Sequence, residues 1–598
     1  MRGKFPVAVA AALLAAAHAV AGGGGAVPVI SVDEIRPGAR GYGLTVVKGS
    51  EPSRFEVEVL GVIPKIAPDR DAVIFRAEGL RLERTGIFGG MSGSPVYIDG
   101  RLAGAVSFGW SWQKDPVAGL TPMADILEGA AERSREKPAA PALTAEGLLS
   151  VIEGRPAAPA PQSRSAPGGP VTLATSGLSA AAADLVREFF PEERFLIADM
   201  APAGAAPAGS GGKEEEDAAG REALQPGSSI YAALVSGDLF LGALGTVTER
   251  RGEEIYGFGH PFLNLDSVAM PMYAARVITI FPSTQRSFKI AVPERVVGAI
   301  TRDFATGIYG RLGAEPETFP VSVTVERGGG TRRYDYELFR HFAISPQLVA
   351  VAAAESLTSL ADAPSEATVS YGLNVEYEGG RALSLERSRA GRAATGEMAR
   401  DLAGLLSTTM HNPLEDLLPE KVEITAVLED ENRTARIESA LLRENEVRPG
   451  DTLSIDVRVK PLRAAAETFV LEIAVPAGAV PGTVPLIICD GETSNTLDLL
   501  EAKHRLDPAT VDDLLAVLEP RRSARQMVAR LSGAGYGLSH ADKEFPNLPA
   551  PALAILAAPG DTSPAPIFES AVSAVETPYV LSGRKVVPVI IKPPGKEN

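Results

Sequence analysis

The stretch 90–95, Gly-Met-Ser-Gly-Ser-Pro, sets a serine between glycines, as expected for a nucleophile on a tight turn. Glycine lets the backbone turn sharply and lets a substrate approach it closely. In such a turn the N–H groups of Gly90 and Ser92 can point at one spot, where the oxyanion of a tetrahedral intermediate would sit. An ordinary β-turn is the simpler interpretation, because glycine, serine and proline are common turn formers. Ser92 is therefore a candidate nucleophile, with Ser94 as the neighbouring choice.

A serine hydroxyl is a weak nucleophile and needs a base within hydrogen-bond reach. Beyond the first residues, the chain has five histidines: His260, His341, His411, His504 and His540. His260 follows Tyr-Gly-Phe-Gly at a glycine-flanked strand end, so it is the preferred candidate for the general base, and His341 comes second. A lone histidine is more often structural than catalytic. Lys114 offers Ser–Lys chemistry, but a lone exposed lysine is usually only solvated.

Longer motifs surround the serine turn: Gly-Tyr-Gly-Leu-Thr-Val at 41–46, Glu-Val-Leu-Gly-Val at 58–62, the turn itself at 90–97 and Lys-Asp-Pro-Val-Ala-Gly-Leu-Thr-Pro at 114–122. Together they resemble the SpoIVB-type serine peptidase family, and the similarity resumes over 237–313. The resemblance implies a serine peptidase in which His260, within the family's Phe-Gly-His, is the general base. Ser92 is preferred to Ser94 because it occupies the position of the nucleophile in the Gly-Asp-Ser-Gly-Gly-Pro of chymotrypsin-like proteases.

The order of the two motifs departs from that of the family. The sporulation peptidase and the chymotrypsin-like enzymes place histidine before serine, whereas Ser92 here precedes His260. A catalytic triad is defined by geometry and not by chain order. A circularly permuted pair of barrels could therefore build the same cleft.

The carboxylate that would orient the histidine is the least determined member of the set. Asp303 is preferred, because its separation from His260 along the chain resembles the histidine-to-aspartate separation in chymotrypsin-like proteases. Asp266 is nearer in sequence, Asp238 begins a strand in the same region, and Glu78 lies upstream of the serine turn. In so acidic a chain, each of these residues is more often a surface carboxylate.

Other candidates for binding are few. Trp110 and Trp112 follow the serine motif, and they could line a specificity pocket or close a barrel by ordinary packing. No His, Cys and Asp cluster has the spacing of metal ligands, and no glycine-rich phosphate loop precedes a helix. We therefore expect no cofactor.

The elements around the serine predict a small antiparallel β-barrel over 28–135. This region consists of short apolar runs punctuated by glycine, proline and aspartate. Residues 96–106 form two such runs around Asp-Gly, which is the strongest short-range signal for a β-hairpin. The candidate nucleophile is thus expected to stand on a rigid β scaffold.

A second β-rich block over 227–345 carries His260 and is about the size of another small barrel. The fold predicted for the catalytic body is thus two small antiparallel barrels, chymotrypsin-like and circularly permuted, with the cleft between them. The segment 136–226 is rich in alanine, proline, glycine and serine, which predicts a long low-complexity linker with one helix at 180–190.

The rest of the chain predicts further domains, since 598 residues exceed the size of one core. Residues 346–419 read as an α/β connecting segment. Alternating strands over 420–488 predict an immunoglobulin-like β-sandwich. Residues 489–598 are expected to hold helices and a final apolar strand at 586–591. The whole chain is therefore expected to be mainly β with helical segments.

The beginning of the chain predicts export. A basic start, an apolar run and Ala-Val-Ala at 19–21 fit a signal peptide over 1–21. No later apolar run has the length of a membrane span. The single cysteine, Cys489, has no internal partner and is expected to be a buried small hydrophobe. The net charge of −17 argues against nucleic acid as a partner.

These expectations combine into an exported serine endopeptidase that acts on an extracytoplasmic protein or peptide, with Ser92 as nucleophile and His260 as general base. Its place would be periplasmic, cell-surface or extracellular, and another envelope protein is a possible partner. The alternative is a catalytically silent envelope protein that keeps the scaffold for binding or structure. The permuted order and the open choice of acid favour that alternative, whereas the intact serine turn and His260 oppose it.

Overall fold

The computed structural model is mainly β-stranded and describes residues 27–593 with internal gaps. The gaps fall at 69, 111, 135–137, 155–170, 177, 192–193, 200–223, 360–365, 541–542, 546–550, 553–554 and 556–564. The predicted signal peptide therefore lies outside the described residues. Among the helices that are described, none is both long enough and apolar enough to cross a membrane.

The first barrel is a closed ring of six antiparallel strands. They are β1 (Arg40–Thr45), β2 (Ser53–Ala67), β3 (Arg70–Glu78), β4 (Pro95–Ile98), β5 (Arg101–Gly109) and β6 (Val117–Pro122). Their order around the ring is β1-β2-β3-β6-β5-β4. Alternation builds the core, since Phe55, Val57 and Val59 of β2 are buried. Helices α1 (Leu82–Thr85) and α2 (Met123–Ala131) precede β4 and follow β6.

The predicted hairpin is confirmed as β4 and β5. Asp99 and Gly100 form its tip with φ values of 49° and 72°. Two successive positive φ values are the mark of a type I′ turn, whose twist matches that of the paired strands. The rigid hairpin fixes the position at which β4 leaves the serine turn.

The second barrel is another ring of six antiparallel strands. They are β9 (Ser229–Gly237), β10 (Leu241–Arg251), β11 (Glu254–Gly257), β12 (Asp266–Phe281), β13 (Phe288–Phe304) and β14 (Gly307–Leu312). The ring runs β9-β10-β11-β14-β13-β12 and closes where β12 pairs with β9. This connectivity is identical to that of the first barrel. The predicted pair of antiparallel barrels is therefore confirmed.

The segment between the barrels, predicted as a linker over 136–226, contains ordered elements, so that prediction is wrong in part. They are α3 (Ala145–Ile152), β7 (Val171–Thr175), α4 (Ala180–Phe189) and β8 (Phe195–Asp199). Strand β7 pairs with β10, and β8 lies parallel to β7. The two strands are short apolar runs that gain stability only by pairing with the second barrel, which local composition does not reveal. The most alanine-rich and glycine-rich stretches lie outside the described residues.

Beyond the second barrel the sheet continues through β16, which pairs with β9. The added elements are β15 (Thr318–Arg327), β16 (Gly330–Phe339), α5 (Ser345–Thr358), β17 (Ala367–Tyr377), β18 (Arg381–Gly391), α6 (Ala394–Met410) and β19 (Pro419–Glu429). Helices α5 and α6 contribute to one hydrophobic core with these strands. The α/β character expected for 346–419 is thus present, although its strands extend the large sheet.

The C-terminal part forms two sheets that share a core. Their strands are β20 (Thr434–Leu442), β21 (Glu446–Val447), β22 (Thr452–Pro461), β23 (Glu467–Ala474), β24 (Gly482–Asp490), β25 (Gln526–His540), β26 (Lys543–Phe545), β27 (Ala565–Glu576), β28 (Val580–Ser582) and β29 (Lys585–Ile591); helices α7 (Gly491–Glu501) and α8 (Val511–Leu518) follow β24. The predicted sandwich boundaries of 420–488 are wrong, because β19 belongs to the large sheet and β24 needs β25 and β29 as neighbours. Cys489 is buried as expected.

Candidate active site

The serine turn lies between α1 and β4, in the connection from the third to the fourth strand of the first barrel. Gly90 and Gly93 have φ values of 87° and 90°, a conformation that side chains disfavour. Ser92 is partly exposed, whereas Ser94 is fully buried. Of the two serines, only Ser92 is accessible to a substrate.

Two N–H groups of the turn remain free for a ligand. Met91 N–H donates to Phe88 O at 3.1 Å, and Gly93 N–H donates to Val106 O at 2.7 Å. The N–H groups of Gly90, which precedes Met91, and of Ser92, which lies between Met91 and Gly93, donate to no residue in the described part of the chain. These are the two donors that the sequence assigns to an oxyanion hole.

The second barrel holds the serine turn through β10. Thr246 N–H donates to Ser92 O at 2.8 Å, and Thr246 Oγ1 donates to Gly90 O at 2.9 Å. Thr248 Oγ1 donates to Gly93 O at 2.7 Å. The conformation of the turn therefore depends on a strand that lies about 150 residues later in the chain.

His260 lies in the matching connection of the second barrel, between β11 and β12. The preceding residue is held against the first barrel, because Thr121 Oγ1 donates to Gly259 O at 2.7 Å. A Cβ at Gly259 would stand 3.1 Å from Val106 O, the same carbonyl that accepts from Gly93. The serine turn and the histidine loop thus meet at one contact between the barrels.

The imidazole of His260 is oriented by the backbone. Its Nδ1 lies 2.8 Å from Pro261 O, and a carbonyl only accepts, so Nδ1 carries the proton of the neutral ring. Nε2 then has the free lone pair that a general base requires. Within the described structure no hydrogen bond joins Ser92 to His260, and such bonds often tighten only in a substrate complex.

Burial is the main influence on the protonation of His260. Removal from water lowers the pKa of its imidazole to about 4, because the charged form loses hydration, although the bond to Pro261 opposes this effect. The positive charges of Arg286 and Arg194 lower this pKa further. His260 is therefore neutral at physiological pH.

Asp303 does not contact the ring of His260. Its buried carboxylate accepts hydrogen bonds from the N–H groups of Phe262 at 2.7 Å, Leu263 at 2.6 Å and Leu265 at 3.4 Å. Burial raises the pKa of Asp303, and these backbone bonds oppose the rise. The carboxylate fixes the loop that follows His260, so its role as a triad acid stays a prediction.

The alternative carboxylates have other surroundings. Asp266 pairs with Arg302 at 2.7 Å, and the Asp238 carboxylate accepts from Asp335 N–H at 2.8 Å. Glu78 is exposed at the end of β3. Their contacts are thus with groups other than His260.

The remaining predicted residues lie outside this contact. His341 stacks on Phe342, with ring centroids 4.5 Å apart, and its Nδ1 accepts from Ala343 N–H. Lys114 is exposed. Trp110 and Trp112 are 49% and 68% exposed, so they do not close the barrel by internal packing.

Sequence reasoning missed Lys289, a fully buried lysine below the serine turn. Its Nζ donates to Ser229 Oγ at 3.0 Å and to Thr246 Oγ1 at 3.2 Å, and Thr246 in turn bonds Gly90. Burial lowers the pKa of Lys289 to about 7. Alternation in Phe-Lys-Ile-Ala-Val would place this lysine on the outer face, whereas β13 turns it inward.

Metal ligation finds no support among the described residues, where no group of three or more His, Cys, Asp or Glu side chains could hold an ion. The residues considered for the site are Ser92, His260 and the backbone amides around them. That set is sufficient for acyl transfer, which needs a nucleophile, a base and an oxyanion site.

Residues 21–125 match the family model described as SpoIVB peptidase S55. The match contains the whole first barrel with its serine turn and ends before the second barrel. It indicates a serine-type peptidase. No curated protein and no solved structure matches the chain.

Replacing Gly93 by alanine should disrupt the docking of the serine turn. The new Cβ would lie 2.0 Å from Thr246 O and 2.5 Å from Phe258 N, both of which are backbone atoms. We expect Gly93→Ala to lower the free energy of unfolding by at least about 3 kcal/mol, measured by denaturant titration.

Gly100→Ala is the matched control, because Gly100 also has a positive φ but open space around its Cβ position. It should cost only the backbone strain, about 1 to 2 kcal/mol. Equal losses for the two variants would contradict the proposed close contact at Gly93.

Asp303→Asn tests whether the carboxylate supports the loop. The amide offers one acceptor oxygen to a site built from several N–H donors, so we expect a loss of about 1 to 3 kcal/mol in unfolding free energy. Asp490→Asn is the control, since Asp490 also accepts a backbone N–H but lies in the C-terminal part. A triad acid would instead show unchanged stability and a rate lowered by about 10⁴.

Proposed function

We propose that this chain, which belongs to the SpoIVB-type serine peptidase family through residues 21–125, is an exported endopeptidase. The observation that carries the proposal is the contact between the barrels. There an accessible Ser92 with two free neighbouring N–H groups meets the loop of a neutral His260. Both residues occupy the same connection in barrels of identical topology.

The reaction proposed is acyl transfer from a peptide bond. Ser92 Oγ attacks the scissile carbonyl while His260 Nε2 takes its proton, and the carbonyl oxygen becomes an oxyanion held by the N–H groups of Gly90 and Ser92. His260 then gives the proton to the departing amine, which leaves an acyl-enzyme. Water, deprotonated by the same nitrogen, releases the acyl group and restores the serine.

In this proposal a backbone carbonyl, and not an aspartate, is the partner of His260 Nδ1. Pro261 O accepts from His260 Nδ1 and so fixes the tautomer, which is one of the two tasks of a triad carboxylate. The other task, stabilising the imidazolium, requires negative charge. Asp303 supports the loop through Phe262 and Leu263 and is separated from the ring by these contacts.

Lys289 is proposed to position the nucleophile. It reaches the serine turn through Thr246 Oγ1, which also bonds Gly90 O. When protonated, Lys289 places a buried positive charge below the turn, where it favours the developing oxyanion.

The substrate proposed is a protein or peptide outside the cytoplasm. A signal peptide over 1–21, read from the sequence, supports export to the periplasm, the cell surface or the medium. The C-terminal sheets offer a separate surface on which such a substrate, or another envelope protein, could be docked.

The second candidate is a binding or structural protein that retains the scaffold without turnover. It is favoured by the absence, among the described residues, of any hydrogen bond from His260 to a carboxylate, and by the low basicity of a ring with a pKa near 4. The family match favours the peptidase.

Labelling with a fluorophosphonate probe tests the proposed nucleophile. We expect the wild-type protein to be labelled, Ser92→Ala to be silent, and His260→Ala to react at least about 100-fold more slowly. Ser94→Ala is the matched control and should still be labelled, because Ser94 is buried. Equal labelling of wild type and Ser92→Ala would contradict the proposal. If no folded form is labelled, the result would favour the binding protein.

The pH dependence of that labelling reports on the base. With a pKa near 4 instead of 6.5, His260 stays neutral, so protonation of the base should lower the rate only below about pH 5. As the pH falls from 8 to 6 the rate should rise, because Lys289, whose pKa burial lowers to about 7, gains the charge proposed to favour the oxyanion. Unfolding free energy should also decline as the pH falls from 6.5 towards 4, because the unfolded chain then binds the proton more readily. A rate that halves near pH 6.5 or above would contradict this assignment.

A further inference from the structure

We propose that Arg286 binds a carboxylate of the substrate beside His260, so that the enzyme selects peptides carrying a negative charge close to the scissile bond. The inference rests on the proposed peptidase function and extends it to the class of substrate. The shared chemistry is a carboxylate, supplied either by an Asp or Glu side chain or by a free C-terminus.

Arg286 lies in the turn between β12 and β13, which runs beside the serine turn. Its two neighbours fix this position. Gln285 O accepts from Trp112 N–H at 3.1 Å, and Ser287 O accepts from Gly89 N–H at 2.8 Å. The residue after Arg286 therefore bonds Gly89, which directly precedes the serine turn.

The guanidinium of Arg286 lacks a counter-ion. Among the described residues it has neither a hydrogen bond nor an ion pair, and its Nη1 is out of contact with solvent. Burial lowers its pKa, with no acidic neighbour to oppose the effect. By contrast Arg276, on the adjoining β12, pairs with Glu294 at 3.0 Å. In a chain of net charge −17, an unpaired, partly buried guanidinium is a ready site for an anion.

The ring of His260 likewise has no carboxylate partner among the described residues. The groups that act on its ring are Arg286 and Arg194, both positive, and the only hydrogen bond of the ring among the described residues is to Pro261 O. Asp303 also interacts with Arg194, but its oxygens are bonded to the loop backbone. No carboxylate in the described structure is placed to stabilise an imidazolium at His260.

A substrate carboxylate on Arg286 would correct both deficits. It would pair with the partly exposed guanidinium and cancel the charge that opposes protonation of His260, which would make the imidazole a stronger base only when a suitable substrate is bound. Trp112, whose N–H bonds the turn at Gln285 O, is 68% exposed and offers apolar contact to the neighbouring substrate residues.

Two sets of internally quenched octapeptides test the proposal on the full mature chain. In one set, a single position at a time carries Asp, Glu, Asn or Gln, and all other positions are randomised among neutral residues. The other compares free with amidated C-termini. We expect at least tenfold higher kcat/KM for the charged member at one position or at the C-terminus, and the set that responds identifies the source of the carboxylate.

Variants then assign the preference to Arg286. Arg286→Gln should reduce the charged-to-neutral ratio to about one while cleavage of neutral peptides continues, and Arg286→Lys should retain part of the preference. Arg276→Gln, the control, should leave it unchanged. A preference that survives in folded Arg286→Gln, or equal rates for charged and neutral peptides with the wild-type enzyme, would overturn the proposal.

The pH profile separates binding from a merely structural role. With the charged peptide, the apparent pKa of the acid limb should be higher in the pH profile of kcat than in that of kcat/KM. The profile of kcat reports the enzyme–substrate complex, whereas that of kcat/KM reports the free enzyme. In Arg286→Gln the two limbs should converge. Fluorophosphonate labelling needs no carboxylate, so a labelled enzyme without charge preference refutes this inference alone, whereas an unlabelled one refutes the peptidase itself.

Discussion

The site depends above all on the hydrogen bonds by which strand β10 of the second barrel holds the serine turn of the first. Thr246 and Thr248 satisfy carbonyls of a turn whose own N–H groups are only partly used. Strand β10 binds the carbonyls of the turn, while the amides of Gly90 and Ser92 donate to no residue in the described part of the chain. The same packing leaves no room for a Cβ at position 93. The conformation of the serine turn therefore depends on the docking of the two barrels.

The identical connectivity of the barrels explains how an inverted chain order can build a familiar arrangement. In each barrel the connection from the third to the fourth strand reaches the contact, one carrying Ser92 and the other His260. Exchanging the order of two equivalent barrels leaves this contact unchanged. The order of serine and histidine is thus a property of the chain and not of the site.

The electrostatics of the site differ from those of an Asp–His–Ser triad. A backbone carbonyl at Pro261 fixes the tautomer, while Asp303 is committed to the loop that follows. The surrounding charges on His260 come from arginines, which weaken it as a base in the free protein.

The sequence by itself determined the local features: the serine turn, the Asp-Gly hairpin, the helix α4, the α/β character of 346–419, and the two β-rich blocks. These follow from turn chemistry and from periodicity, which act over a few residues. Only the tertiary structure decided that β7 and β8 join the second barrel, that Asp303 accepts from backbone N–H groups, and that Lys289 and the turn of Arg286 lie beside the serine turn. Those placements depend on contacts between residues far apart in the chain. Lys289 of β13, for example, faces inward and donates to hydroxyls of β9 and β10. Local pattern cannot encode such partners.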